Sequence, residues 1–238
     1  MTPRIWDAFL TERDKQVFAA SGYGASAGYG ERPALLIIDA STNFTGERSQ
    51  PILEMVTEWH NGCGEEGWVA IGHIKRLLAA SRAKGIPVVY TTGERRSDGT
   101  DLGAWGLKNN RFLEDFEKEE RGNTIVPDIA PQAGELVIKK QKPGAFFGTP
   151  LLSYLIERKV DTLLVTGVST SGCVRASVIE GFSYNYRVAV VEEGCYDRSQ
   201  ASHAINLCDM NAKYADVVRV DNAIDYVNGL PDGLFRRR

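Results

Sequence analysis

The chain has 238 residues, of which 43% are hydrophobic and 25% charged, a composition typical of a globular protein with a sizeable core. Its formal net charge of −3 excludes the strong positive field of proteins that bind nucleic acid or anionic membranes. No apolar run approaches the ~20 residues of a membrane span, and charged residues interrupt the N-terminus where a signal peptide needs an apolar segment. We therefore expect a cytoplasmic protein.

The first thirty residues differ in composition from the rest. The spacing of Ile5, Trp6, Phe9 and Leu10 predicts an apolar helical face, and the glycine-rich residues 22–30 predict a flexible connection. We expect a helical arm with its connection over residues 1–30 and a single domain over 31–238. The arm could pack on its own domain or on a neighbouring subunit. The glycines precede the first strand and lack G-x-G-x-x-G spacing, which disfavours a nucleotide-binding loop.

Six short apolar runs rich in β-branched residues predict the strands of one sheet. They cover residues 34–39, 86–91, 135–139, 162–166, 187–192 and 217–220. Most are continuous rather than alternating, as in strands buried on both faces of a parallel sheet. Helical patterns lie between several of them. The alternation predicts an α/β fold, a three-layer α-β-α arrangement around a mainly parallel, six-stranded, Rossmann-like sheet. The short basic tail 236–238 indicates a solvated terminus.

Three chemically useful side chains follow predicted strands. Asp39 ends the first strand, Lys139 and Lys140 end the third, and Cys173 follows the fourth in a glycine-rich turn toward a helix. Carboxyl ends of parallel strands meet at one edge, where such folds bind ligands. A cation and a helix N-terminus lower the pKa of a thiol, and a carboxylate can accept its proton.

The alternative for each of the four cysteines is a buried, unreactive thiol, which is the usual state of a free cysteine. Cys63, Cys173, Cys195 and Cys208 form no C-x-x-C pair, which disfavours a zinc ribbon, and a cytoplasmic protein of this size is not expected to carry disulfides. A reactive Cys173 therefore depends on its neighbours.

The segments around these residues resemble the isochorismatase-like cysteine hydrolase superfamily. The matching stretches are Arg32–Asp39, Val137–Lys140 with Gly144–Leu151, and Val165–Ser177. The resemblance implies that Asp39 is the general base, Lys140 the catalytic lysine, with Lys139 as the fallback, and Cys173 the nucleophile. It also implies a cis peptide bond between Val168 and Ser169, and an oxyanion site from the backbone of Val168, Ser169, Gly172 and Cys173. A homo-oligomer, dimer or tetramer, is the expected assembly.

Two further features narrow the resemblance. The nicotinamidase branch has a histidine-containing metal site after the second strand, whereas residues 91–96 here contain no histidine, so we expect no metal and no cofactor. Residues 168–175 and 195–198 look like the N-carbamoylsarcosine amidase branch, in which an arginine matching Arg198 binds the substrate carboxylate. Phe44 and Thr170 are further substrate-binding candidates. A surface role for Arg198 remains open, and Gly144 stands where a serine is common.

The resulting prediction is a metal-independent cysteine amidohydrolase. It would cleave a small linear amide or ureido acid through a thioester and release ammonia, as N-carbamoylsarcosine amidase does. The alternatives are a maleamate- or ureidoacrylate-type amidohydrolase and, in a different class, a catalytically silent binding protein on the same fold. A serine hydrolase using Ser169 or Ser171 with Asp197 and His203 is disfavoured, because the turn lacks G-x-S-x-G.

Overall fold

The computed structural model describes residues 4–109 and 115–235, so the predicted solvated tail at 236–238 lies outside the described residues. Its centre is a six-stranded sheet with every neighbouring pair parallel, in the order β3-β2-β1-β4-β5-β6. The predicted α/β fold is confirmed. The strands are β1 (Pro33–Ile38), β2 (Val88–Gly93), β3 (Leu136–Lys140), β4 (Thr162–Val168), β5 (Arg187–Tyr196) and β6 (Asp216–Val218).

The central strands are buried on both faces because helices cover both. Ala34, Leu36 and Ile38 of β1 contribute to one apolar core, whereas Leu35 and Ile37 contribute to the other. This two-sided burial is why the strand sequences are continuous rather than alternating. The helices are α1 (Glu12–Ser21), α2 (Thr42–Thr45), α3 (Ile52–Glu58), α4 (Glu65–Ala83), α5 (Gly103–Asn109), α6 (Phe116–Gly122), α7 (Leu151–Glu157), α8 (Arg175–Ser183), α9 (Gln200–Lys213) and α10 (Val220–Asn228).

The helices divide between the two faces of the sheet. Apolar residues of α7, α8 and α9 belong to the first core, and those of α4 and α10 belong to the second. Ile71, Ile74 and Leu77 of α4 are buried, as their helical spacing predicts. Within the described ranges, no helix is long and apolar enough to cross a membrane.

The N-terminal arm begins with a 3₁₀ turn, Ile5–Ala8, followed by α1. Trp6 is buried in the first core of the same chain, and Arg4 forms an ion pair with Glu192 at 3.3 Å. Of the two alternatives for the arm, this first part packs on its own domain. Helix α1 buries no residue.

The glycine-rich stretch binds a carboxylate of its own chain. The hydroxyl of Ser26 and the backbone N–H groups of Ala27 and Gly28 donate to Asp216 at 2.7–3.1 Å. The backbone N–H groups that a phosphate-binding loop would present to a ligand are hydrogen-bonded here to Asp216, the first residue of β6. The stretch therefore fastens the arm to the sheet edge.

Candidate active site

Three strands end at a common cavity and bring together the side chains of Asp39, Lys140 and Cys173. Asp39 follows β1, Lys140 is the last residue of β3, and Cys173 lies in a single π-helical turn, Thr170–Val174, between β4 and α8. The Lys140 ammonium donates to Asp39 Oδ2 at 2.7 Å. The Cys173 thiol lines the same cavity and is close enough for the charges of both partners to affect its pKa. The juxtaposition expected from the strand ends is therefore present.

The ion pair is held rigidly from two sides. Asp39 has a φ of +48°, and its second carboxylate oxygen accepts the hydroxyl of Thr91, on the adjacent strand β2, at 2.7 Å. The ammonium of Lys140 also donates to the backbone carbonyl of Lys142 at 3.1 Å. Lys139, the fallback for the catalytic lysine, is exposed, because successive side chains of a strand point to opposite faces.

Burial sets the protonation state of this cluster. It raises the pKa of the Cys173 thiol to about 12; the Lys140 ammonium opposes this shift, and the Asp39 carboxylate adds to it. Burial alone would lower the pKa of Lys140, but the negative charge of Asp39 opposes this effect, and the pKa of Lys140 is raised. The resting site therefore holds a charged lysine and a protonated thiol, which needs a base before it can react.

The turn that carries Cys173 departs from regular helix geometry. The peptide bond between Val168 and Ser169 is cis, as the resemblance implies. The N–H of Gly172 donates to the carbonyl of Ser169 at 2.9 Å, so in this geometry it is not free to bind an oxyanion. In the described part of the chain, the N–H of Ser169 has no acceptor. The N–H of Ser169 is therefore available as an oxyanion donor, and the same role for the N–H of Cys173 stays a prediction.

Glycine is required where β1 and β4 run into the site. Gly167 has a φ of +109°, and a Cβ there would lie 2.0 Å from the backbone oxygen of Ile38. Residues with a side chain rarely adopt this φ, and the contact is far below van der Waals distance. The glycine allows the two central strands to present Asp39 and the cysteine turn side by side.

The cavity is small, about 50 Å³, and combines polar walls with a few apolar side chains. Phe44, predicted as a substrate-binding residue, lines it. Its other lining residues outside the catalytic cluster are Asn43, Asn61, Gly93, Glu94, Arg95, Leu102, Trp105, Glu119, Asn123, Gln141 and Lys142. Arg95 and Glu119 form an almost fully buried ion pair, and the amide of Asn43 donates to Asn123 at 2.9 Å. These interactions fix the wall opposite Cys173.

Two predicted substrate-binding residues lie elsewhere. The hydroxyl of Thr170 is buried between the carbonyl of Tyr196, at 3.2 Å, and the ring of His203, at 2.7 Å, and it does not line the cavity. Arg198 is exposed and donates to the backbone carbonyl of Asn61 at 3.0 Å, so its guanidinium supports a cavity loop from outside. Neither side chain lines the cavity that holds Cys173, and a substrate-binding role for either residue stays a prediction.

The serine-hydrolase alternative is also inconsistent with the structure. Ser171 donates directly to Asp197 at 2.7 Å, and no histidine lies between them. His203 is hydrogen-bonded to Thr170 instead. The Asp197 carboxylate also accepts the backbone N–H of Ser171 at 2.8 Å, so it anchors the turn that carries Cys173.

Gly144 departs from the common serine because another side chain occupies the space. A Cβ at this position would lie 2.2 Å from the carboxylate oxygens of Glu180 on α8. That carboxylate accepts the N–H of Phe146 at 2.9 Å and thereby holds the turn after β3. The glycine at position 144 therefore leaves room for the Glu180 carboxylate, which binds the turn after β3.

Comparison with known proteins places these features in a family. The Isochorismatase domain model matches residues 33–222. This chain belongs to the isochorismatase family. It is 33% identical to N-carbamoylsarcosine amidase from Arthrobacter sp. over 92% of this chain and 80% of that protein. It is 32% identical to maleamate amidohydrolase from Pseudomonas putida over 87% of this chain and 92% of the relative.

Solved structures agree with this assignment. The crystal structure of N-carbamoylsarcosine amidase from Thermoplasma acidophilum superposes with a TM-score of 0.63 at 25% identity, covering 80% of this chain and 97% of that one. An isochorismatase family protein from Desulfovibrio vulgaris gives 0.70 at 28% identity, covering 83% and 99%. The predicted family and hydrolase class are confirmed.

Most of the cavity residues that the sequence did not reveal lie on short helices, with Asn43 on α2, Trp105 on α5 and Glu119 on α6, whereas Asn61 lies in a loop. Asn43, Asn61, Trp105 and Glu119 have no periodic pattern that would mark them, and only the fold brings them together. Lys142 could have been predicted as a site residue from the sequence, because it lies two residues after the end of β3. For residues 4–109 and 115–235, no group of three His, Cys, Asp or Glu side chains has an arrangement suited to a metal ion.

Proposed function

We propose that this protein is a cysteine amidohydrolase that needs no metal and releases ammonia from a small linear amide or ureido acid. The observation that carries the proposal is the buried cluster of Cys173, Asp39 and Lys140 at the end of a narrow cavity. The amidase and amidohydrolase relatives support the same chemistry. We assign Asp39 as general base, Lys140 as the stabilising cation and Cys173 as nucleophile.

The first half-reaction follows from the protonated thiol. Asp39 removes the proton from Cys173, and the new thiolate is stabilised by the Lys140 ammonium 2.7 Å from the same carboxylate. Sulfur attacks the substrate carbonyl, and the π electrons move to oxygen. The N–H groups of Ser169 and Cys173 are placed to bind that oxyanion. The C–N bond then breaks, and ammonia leaves with the proton that Asp39 had accepted.

The second half-reaction restores the enzyme. Water attacks the thioester (a thiocarbamate for a ureido substrate) while Asp39 again accepts a proton. The C–S bond breaks, and the sulfur takes the proton from Asp39 to re-form the thiol. The product is a carboxylic or carbamic acid, so each turnover consumes one water and releases one ammonia. The ion pair with Lys140 keeps Asp39 in position for both transfers.

The candidate substrates are short. N-carbamoylsarcosine, maleamate and ureidoacrylate are small acids with a terminal amide or ureido group, and relatives named for all three reactions match this chain. The narrow cavity favours such compounds over peptides. We further propose that residues 31–238 form the catalytic domain, that residues 1–30 are its N-terminal arm, and that the protein is a homodimer or homotetramer. A light-scattering mass equal to one chain would contradict that assembly.

An ammonia-release screen tests the function. Wild type, Cys173→Ala and Cys208→Ala would be assayed against the three acids. Cys208 is an equally buried thiol on α9 and serves as the matched control. We expect Cys173→Ala to lose at least about 10³-fold in kcat and Cys208→Ala to stay within about threefold. Near-normal turnover by Cys173→Ala would refute the nucleophile, and binding without ammonia release by wild type would indicate the catalytically silent protein.

A further inference from the structure

Lys142 lies in the wall of the cavity, and its positive charge forms no ion pair with a carboxylate of residues 4–109 or 115–235. Its ammonium donates to the backbone carbonyls of Asp101, at 3.2 Å, and Leu102, at 3.4 Å. A lysine ammonium has three N–H donors, so these bonds leave one donor unused. In the described parts of the chain, no carboxylate is within ion-pair distance of it. The carboxylate of nearby Asp101 is bonded to the N–H of Arg96 and the amide of Gln141.

The other cations that line the cavity are already paired. Lys140 is bonded to Asp39, and Arg95 is bonded to Glu119. Each of these pairs is nearly fully buried, so replacing its internal carboxylate with a substrate carboxylate would leave a buried charge without a partner. A substrate carboxylate could bind Lys142 without breaking an ion pair, because the partners of the Lys142 ammonium are neutral carbonyl oxygens.

The position of Lys142 relates it directly to the reacting groups. Its backbone carbonyl accepts the ammonium of Lys140 at 3.1 Å, while its side chain extends to the turn at residues 101–102. One residue thus contacts the catalytic cluster through its backbone and presents a cation farther along the cavity. Leu102 and Trp105 line the cavity beside that cation. An acid amide with its carbonyl at Cys173 would direct its far end toward this wall.

We infer that Lys142 is the specificity-determining residue that binds the carboxylate of an acid amide or ureido acid. The inference rests on the proposed amidohydrolase function and deepens it. Arg198, the residue first expected to have this role, does not line the cavity and donates to the backbone carbonyl of Asn61, so the two candidates are compared directly in the test below. Lys142 selects anionic substrates, and the cysteine cluster carries out the same chemistry on neutral ones.

Matched substrate pairs test this assignment. Each acid of the screen, together with its methyl ester, would be assayed with wild type, Lys142→Gln, Lys142→Arg, Arg198→Gln and Lys139→Gln. Lys139 is an exposed lysine three residues away and controls for a general loss of one positive charge. The readout is the ratio of kcat/KM for the acid to that for its ester, which cancels any loss of folded or active enzyme.

We expect wild type to prefer the acid about 10- to 100-fold, the range of a charge-assisted hydrogen bond. Lys142→Gln should lose that preference mainly through the KM of the acid, so that its ratio of acid to ester kcat/KM falls to about one. Lys142→Arg, Lys139→Gln and Arg198→Gln should keep it. Absence of a preference in wild type, or its survival in Lys142→Gln, would overturn the inference while leaving the amidohydrolase function intact. Loss of the preference in Arg198→Gln alone would return the role to Arg198. Failure of wild type on every compound would refute the function itself.

Discussion

Replacement of Lys140 by methionine should destabilise the fold as well as abolish activity. Methionine is an unbranched side chain one atom shorter than lysine, and it leaves the Asp39 carboxylate without its cation. The two charged groups are 2.7 Å apart, and both side chains are about 95% buried, with exposed fractions of 4% and 5%. At an effective dielectric constant of about 20, a pair this close attracts by roughly 6 kcal/mol.

The net loss is smaller than that attraction. Forming the pair also cost several kcal/mol of desolvation, and the Thr91 hydroxyl continues to donate to Asp39 after the substitution. Removal of one partner of a buried pair typically costs 3–5 kcal/mol, and we expect Lys140→Met to lie within that range. Asp39→Asn should cost a similar amount, because it leaves the lysine ammonium buried beside a neutral amide.

A double-mutant cycle measured by urea unfolding provides the assay. The four tryptophans supply a fluorescence signal. The variant that carries both Asp39→Asn and Lys140→Met leaves no unpaired charge, so its loss should be at least about 2 kcal/mol smaller than the sum of the single losses. Additive losses would refute the reasoning, since they would show that the two groups do not depend on each other for stability.

Two further predictions concern the thiol and the turn that supports it. Because burial raises the pKa of Cys173, the thiolate fraction grows about tenfold per pH unit well below that pKa, and iodoacetamide should inactivate the enzyme correspondingly faster from pH 7 to pH 9. Inactivation followed by residual ammonia release would test this, and a plateau below pH 8 would contradict it. Gly144→Ser should destabilise by about 1–2 kcal/mol in urea unfolding, because its Cβ would meet the Glu180 carboxylate. Adding Glu180→Ala should remove most of that clash, and unchanged stability of Gly144→Ser would argue against it.

Much of the fold was predictable because burial on both faces leaves a direct pattern in the sequence. All six predicted runs overlap observed strands, and the departures are at strand ends, where β5 continues to Tyr196. The catalytic candidates were predictable for a related reason. Strand ends converge in a parallel sheet, so Asp39, Lys140 and Cys173 could be brought together without knowledge of any loop.

Side-chain direction beyond the strand ends could not be predicted in the same way. Thr170 lies three residues from Cys173, yet its hydroxyl is hydrogen-bonded to His203 and does not line the cavity. Arg198 follows β5 at the expected edge, but its side chain turns outward to Asn61. Loops have no fixed periodicity, so neighbouring positions in sequence do not determine which side chains share a wall.

The strand order divides the three catalytic candidates between two continuous parts of the chain. Asp39 and Lys140 lie in the half that contains β1, β2 and β3, whereas Cys173 lies in the half that contains β4, β5 and β6. Within the sheet, the halves meet where six residue pairs from Pro33↔Thr162 to Ile38↔Gly167 align β1 with β4. A cut in the connection after α7 would yield two fragments, one with Asp39 and Lys140 and one with Cys173. Neither fragment holds a complete site, so this protein has the layout of a split enzyme whose activity reports reassembly.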